Sequence, residues 1–157
     1  MQDFSFSTVK TIINELGSCH RQLGTVAKSL AVTRALIVTD AGIVQSGMIE
    51  PALNSLTAAG IVSVVYTDVV ADPPEVVVER ALAFAREQQI DGVIGLGGGS
   101  SMDVAKVIAL LTKSTQSLQD VYGVGNAKGY RLPLIQIPTT AGTGSEVTPI
   151  SIITTGE

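Results

Sequence analysis

Val93-Ile94-Gly95-Leu96-Gly97-Gly98-Gly99-Ser100-Ser101-Met102-Asp103 begins as a strand and ends as a helix. The first four residues are apolar or glycine, as in a strand covered on both faces. The last residues lead into Val104, Val107, Ile108 and Leu111, which recur at i, i+3, i+4 and i+7, the period of a helix. Three glycines mark the change of period. A buried strand that turns through glycine into a helix is the repeating unit of an open α/β sheet, and such sheets bind ligands beyond the carboxyl ends of their strands.

The same alternation runs outward in both directions. Ala35-Leu36-Ile37-Val38-Thr39, Ile61-Val62-Ser63-Val64-Val65-Tyr66 and Leu134-Ile135-Gln136-Ile137 are further buried-strand runs, beside Gly92–Leu96. Val78, Ala81, Leu82 and Ala85 repeat the helical spacing. Asp72-Pro73-Pro74-Glu75 reads as a helix opening, with Asp72 as N-cap and Pro73 in the first position. Strands and helices alternating at these lengths predict right-handed βαβ units, a mainly parallel sheet and helices on both faces. An edge strand within Phe4–Ile13 and a helix from about Ser18 to Leu30 are expected before it. The β-branched run Val147–Thr154 is expected to be a strand.

Composition narrows the class. The 157 residues suit one domain, and 45% apolar against 15% charged residues excludes general disorder. No apolar run reaches the length of a membrane span. The opening Met1-Gln2-Asp3-Phe4-Ser5 lacks the basic and apolar blocks of a secretory signal. One cysteine, Cys19, fits a reducing compartment, so a cytoplasmic protein without membrane attachment is expected. The net charge of −4 argues against nucleic acid.

The glycine turn at 97–99 has a direct chemical reading. A helix start presents unpaired N–H groups and a partial positive charge, which together bind phosphate oxygens. Glycine lets the backbone approach the phosphates closely. Ser100 and Asp103 have the spacing of a capping box. The alternative is a tight strand-to-helix turn with an ordinary cap, because Met102 stands where a dinucleotide fingerprint has its third glycine.

A second loop, Ile137-Pro138-Thr139-Thr140-Ala141-Gly142-Thr143-Gly144-Ser145-Glu146-Val147-Thr148, follows the last buried strand. Its hydroxyls can donate to phosphate or ribose oxygens, and its glycines keep the surface low enough for a flat ring. Taken alone it is equally a satisfied turn. Taken with Gly97-Gly98-Gly99-Ser100-Ser101-Met102-Asp103-Val104-Ala105-Lys106, it resembles the iron-containing (group III) alcohol dehydrogenases. The likeness extends to Ala35–Asp40 and Asp72-Pro73, which sit where that family has its first strand and its second cofactor loop.

The resemblance implies an α/β, Rossmann-like sheet of the kind that forms the N-terminal domain of dehydroquinate synthase. It implies that Gly97, Gly98, Gly99 and Ser100 hold a pyrophosphate. Thr139, Thr140 and Thr143 would line the adenosine and ribose part of the groove, with Gly142 giving access. Asp40 would accept hydrogen bonds from the ribose diol and repel a 2′-phosphate, favouring NAD over NADP; capping of the following helix is the other reading of Asp40. Asp72 stands where the family often has asparagine, which keeps an acceptor and adds charge.

In that family one aspartate and three histidines on a second, all-helical domain hold the catalytic metal, downstream of the threonine loop. Here His20 is the sole histidine, and its neighbour Cys19 points another way on a helix. Residues 1–157 are therefore expected to be the dinucleotide-binding domain alone, without the helical domain and inactive by themselves. The complete protein would be an NAD-dependent alcohol dehydrogenase using a divalent metal, expected to be iron, on small alcohols and aldehydes or ketones. The alternatives are the cofactor domain of a glycerol or sugar-phosphate dehydrogenase, a related lyase, and a free-standing nucleotide-binding module. Exposed cleft and strand edges lead to an expected homo-oligomer.

Overall fold

Successive side chains of a strand leave on opposite faces, and here both faces find helices. The computed structural model describes residues 9–156. In it β1 (Arg34–Val38), β2 (Val62–Tyr66), β3 (Gly92–Gly97) and β4 (Leu134–Pro138) are all parallel, in the order β2-β1-β3-β4. Each lies within one residue of its sequence expectation. The helices are α1 (Ser18–Ser29), α2 (Ala41–Gln45), α3 (Glu50–Ala58), α4 (Glu75–Glu87) and α5 (Gly99–Leu111). Leu36, Val38 and Val93 pack with Val78, Ala81 and Leu82 of α4 and with Val104, Val107 and Ile108 of α5. Ala35, Ile37, Ile94 and Leu96 point the other way, onto Leu23 and Ala27 of α1, Ile43 of α2, and Ala52 and Leu56 of α3. Strand β1 lies wholly between the two layers: Ala35, Leu36, Ile37 and Val38 are fully buried.

Strand order decides where a ligand can sit. From β1 the chain goes to β2 on one side, then crosses to β3 on the other. The loops leaving the carboxyl ends of β1 and β3 therefore diverge, and a crevice opens between them. Asp40 follows β1, and Gly97–Gly99 ends β3 and starts α5.

Several expectations are corrected. The helix after Asp72 begins at Glu75 with Pro74 as N-cap, and Asp72 adopts φ +47. A residue before proline is disfavoured in the helical region, and the Glu75 N–H is satisfied by the carbonyl of Thr154 at 3.2 Å rather than by a side chain. Helix α5 starts at Gly99, not near Ser101, with Gly98 as N-cap and no side-chain cap. The Ser100–Asp103 capping box is absent because the Asp103 carboxylate is drawn to Ser145, Lys106 and Ile152 instead. Val147–Thr154 is not a strand: side chains of α5 hold it as an irregular strap, and only Thr154 forms a bridge, parallel to Pro74. Of the expected edge strand in Phe4–Ile13, residues 4–8 lie outside the described residues and residues 9–13 form no strand. Among the described residues no helix is long and apolar enough to cross a membrane.

Candidate functional site

A cleft of about 330 Å³ occupies the predicted crevice, lined by Asp40, Val69, Val70, Ala71 and Gly98–Ser101. One wall is the start of α5. The first helical hydrogen bond there runs from Met102 N–H to the Gly98 carbonyl at 3.2 Å. The N–H groups of Gly99, Ser100 and Ser101 precede it and have no intrahelical partner. They supply the donors and partial positive charge that an anion needs.

Gly97 and Gly99 are crowded by their neighbours, whereas Gly98 has room for a Cβ in ordinary contact. Gly97 has φ +148, and a Cβ on it would lie 2.7 Å from Ser101 Oγ. Gly98 and Gly99 have ordinary backbone for any residue, yet threonines stand over them. A Cβ on Gly98 would lie 3.5 Å from Thr140 Oγ1, and one on Gly99 would lie 3.2 Å from Thr143 Cγ2. The glycine turn and the threonine loop are thus in contact across the mouth of the sheet, and a side chain on either glycine would occupy the space between them.

Asp40 serves two directions. Its Oδ1 accepts from Ile43 N–H at 3.1 Å, capping α2, while its side chain also lines the cleft. Thr139 continues the β3–β4 ladder through its N–H to the Gly97 carbonyl at 2.9 Å. Gly142 is exposed, with φ +106. Of the expected site residues, the structure gathers Asp40, Gly97, Gly98, Gly99, Ser100, Thr140 and Thr143 around the mouth of the crevice. Asp72 is not among the lining residues; its carbonyl accepts from Thr154 Oγ1 at 3.0 Å. The Val69–Ala71 wall was missed from sequence, since nothing in that apolar stretch marks a site. Strand order was the only available signal, because β2 lies next to β1.

The family model for iron-containing alcohol dehydrogenases matches residues 10–157. The chain belongs to the iron-containing alcohol dehydrogenase family. It is 42% identical over 135 residues to long-chain-alcohol dehydrogenase 1 of Geobacillus thermodenitrificans, covering 84% of this chain and 34% of that protein. It is 36% identical over 160 residues to choline dehydrogenase of Bacillus subtilis, covering 100% of this chain and 40% of that protein. The crystal structure of sulfoacetaldehyde reductase from Bifidobacterium kashiwanohense in complex with NAD+ superimposes with a TM-score of 0.86 at 31% identity, over 99% of this chain and 41% of that one. The chain thus spans well under half the length of these iron-containing alcohol dehydrogenase relatives.

The family name implies iron, and the described residues do not fit it. Among them no three His, Cys, Asp or Glu side chains come together. Cys19 is packed against the core on the α1 side, and burial pushes its thiol pKa up, away from the thiolate that binds metal. His20 is exposed on α1 and shares a shallow surface depression with Arg21, Thr25 and Asn54 of α3.

Proposed function

We propose that this chain is the dinucleotide-binding domain of a metal-dependent alcohol dehydrogenase, with NAD preferred over NADP. The observation that carries the reading is the contact between the glycine turn and the threonine loop, at the switch point of a parallel sheet, beside a carboxylate. The cleft fits the group: two glycines leave room that a Cβ would take, and three backbone N–H groups point where a pyrophosphate needs donors. Gly99, Ser100 and Ser101 would hold the phosphates, and Asp40 would accept from the ribose diol. The hydroxyls of Thr140 and Thr143 would donate to phosphate or ribose oxygens. Bound NAD supplies the hydride acceptor, and the domain's own task is to fix its position.

The complete enzyme would interconvert small alcohols and aldehydes or ketones, with metal ligands outside these residues. The long threonine-loop run favours this reading over the glycerol and sugar-phosphate branch.

Calorimetric titration with NADH and with ADP-ribose tests the site. Weak binding of both is expected, and Gly98→Val is expected to abolish it by filling the gap under Thr140. Absence of heat at millimolar ligand, or unchanged affinity in the variant, would overturn the assignment.

A further inference from the structure

Asp103 and Lys106 form a buried ion pair that the reading above leaves without a task. Their side chains are about one-tenth exposed, and Lys106 Nζ lies 3.0 Å from Asp103 Oδ1. Neither group reaches the cleft lining. Both turn to the strap that follows the threonine loop. Lys106 Nζ donates to Ser145 Oγ at 2.9 Å, to Thr148 Oγ1 at 3.4 Å and to the carbonyl of Ile150 at 2.5 Å. Asp103 accepts from the Ser145 hydroxyl through Oδ1 and from Ile152 N–H at 3.0 Å through Oδ2. The Asp103 carbonyl takes the hydroxyl of Ser151 at 3.1 Å.

We infer that Asp103 and Lys106 are the positioning pair of the dinucleotide site, holding the threonine loop at a fixed height above the glycine turn; this rests on the reading of the cleft proposed above. The linkage is short. Ser145 is buried and anchored by both members of the pair. Its N–H is bonded to Thr143 Oγ1 at 3.3 Å, and Thr143 is the residue that stands over Gly99. Helix α5 thus carries the glycine turn at its N-terminus and, one turn later, the anchor of the loop that faces it. Both sides of the gap are thus tied to one helix, and the near end of the threonine loop is held as well by the Thr139 N–H on the Gly97 carbonyl at 2.9 Å. A buried pair can specify one arrangement of the segment it holds, and a β-branched segment such as 147–154 has other arrangements open to it.

The test compares Lys106→Met and Ser145→Ala with the unaltered protein. Lys106→Met leaves Asp103 buried without its partner and is expected to unfold the strap at least locally. Ser145→Ala keeps the ion pair and its bonds to Thr148, Ile150 and Ile152, and removes only the hydroxyl that joins the pair to the residue next to the threonines over the glycine turn. For Ser145→Ala we expect the dissociation constants of NADH and ADP-ribose to rise about fivefold to tenfold, the worth of one hydrogen bond, with a lowered melting temperature but a still cooperative unfolding transition. Ser145→Thr, which keeps the hydroxyl, is expected to restore the affinity. Amide exchange without ligand is expected to quicken across residues 143–152 in Ser145→Ala and to stay slow in β3 and α5. Unchanged exchange in that segment overturns the inference, as does unchanged affinity in Ser145→Ala. If the unaltered protein binds neither ligand while exchange still quickens, the pair stands as the anchor of the loop and the dinucleotide reading falls.

Discussion

Asp40 lies opposite Gly97 across the ends of β1 and β3: its Oδ2 is 3.4 Å from the point a Cβ on Gly97 would occupy, while its Oδ1 caps α2 through Ile43 N–H. One carboxylate therefore has one oxygen fixed by the helix and the other turned to the glycine turn. The cap thus leaves the second oxygen turned toward the cleft, an orientation compatible with the ribose contact proposed for Asp40.

Asp40→Ser separates the two roles. Serine keeps a capping oxygen, so the loss of stability is expected to stay within a few tenths of a kcal/mol. The charge that would repel a 2′-phosphate is gone. The preference for NADH over NADPH is expected to narrow by about 1–3 kcal/mol, the size of an unfavourable charge contact in a partly screened site. Dissociation constants for both coenzymes measure it; an unchanged ratio would leave Asp40 as a cap only.

At the opposite end of the sheet, Asp91 ties β3 to β1. Its carboxylate accepts from Arg34 N–H at 2.8 Å, from Thr33 N–H at 3.0 Å and from the Thr33 hydroxyl. Partial burial raises its pKa, but the Thr33 hydroxyl and the backbone N–H groups outweigh that and hold it below the ordinary carboxylate value. A folded pKa below the unfolded one stabilises above the unfolded value, and that stability is lost as pH falls through the folded value. Asp91→Asn is expected to cost about 1–3 kcal/mol at neutral pH, from hydrogen bonds to a charged acceptor. The gap between variant and parent should close below about pH 4. Urea denaturation at pH 7 and pH 3 checks this; a gap of constant size would show that ionisation of Asp91 contributes nothing.

What was legible in the sequence follows from range. The strands were readable because Leu36, Ile37, Val38, Val93 and Ile94 are buried on both faces, and a local run of apolar residues records that. The glycine turn and the threonine loop were readable because their chemistry is local too. The strap was not. Val147–Thr154 has the composition of a strand, yet its hydrogen bonds go to Asp103 and Lys106, more than 40 positions away, and side-chain partners at that distance override propensity. The Asp72 cap failed because Pro73 precedes a second proline, which keeps it out of the helix and moves the start to Glu75, where the distant Thr154 carbonyl meets the Glu75 N–H.

Packing of α1 on α3 makes an opposing-effects prediction. Gly24 donates its N–H to Ser55 Oγ at 3.0 Å, and a Cβ there would lie 2.3 Å from the Ser55 carbonyl oxygen and 2.7 Å from Ala59 Cβ. Alanine in a helix gains about 0.8–1.0 kcal/mol over glycine. Forcing two backbones apart costs about 1–3 kcal/mol, and the obstacle is a carbonyl that cannot rotate away. Gly24→Ala is therefore expected to lower the melting temperature. A higher one would mean that the two helices separate at little cost.

Residues 1–157 by themselves are expected to show no turnover of a small primary alcohol with NAD, with ferrous or zinc ions present. A catalytic metal needs about three converging protein donors and one open position, and the described residues bring no such group together. The side chains at the cleft offer no substitute. Asp40 is a carboxylate whose better-placed task is acceptance, and the threonine hydroxyls are too weakly acidic to polarise a carbonyl. Lys106, the nearest cation on α5, has its ammonium committed to Asp103, Ser145, Thr148 and Ile150, so it has no proton aimed at the cleft. Dinucleotide binding and catalysis should therefore separate in this stretch: NADH binds, and no hydride moves. The check is absorbance at the NADH band during incubation with alcohol and metal, beside calorimetry on the same sample. Metal-dependent NADH formation would show that these residues carry a catalytic centre of their own.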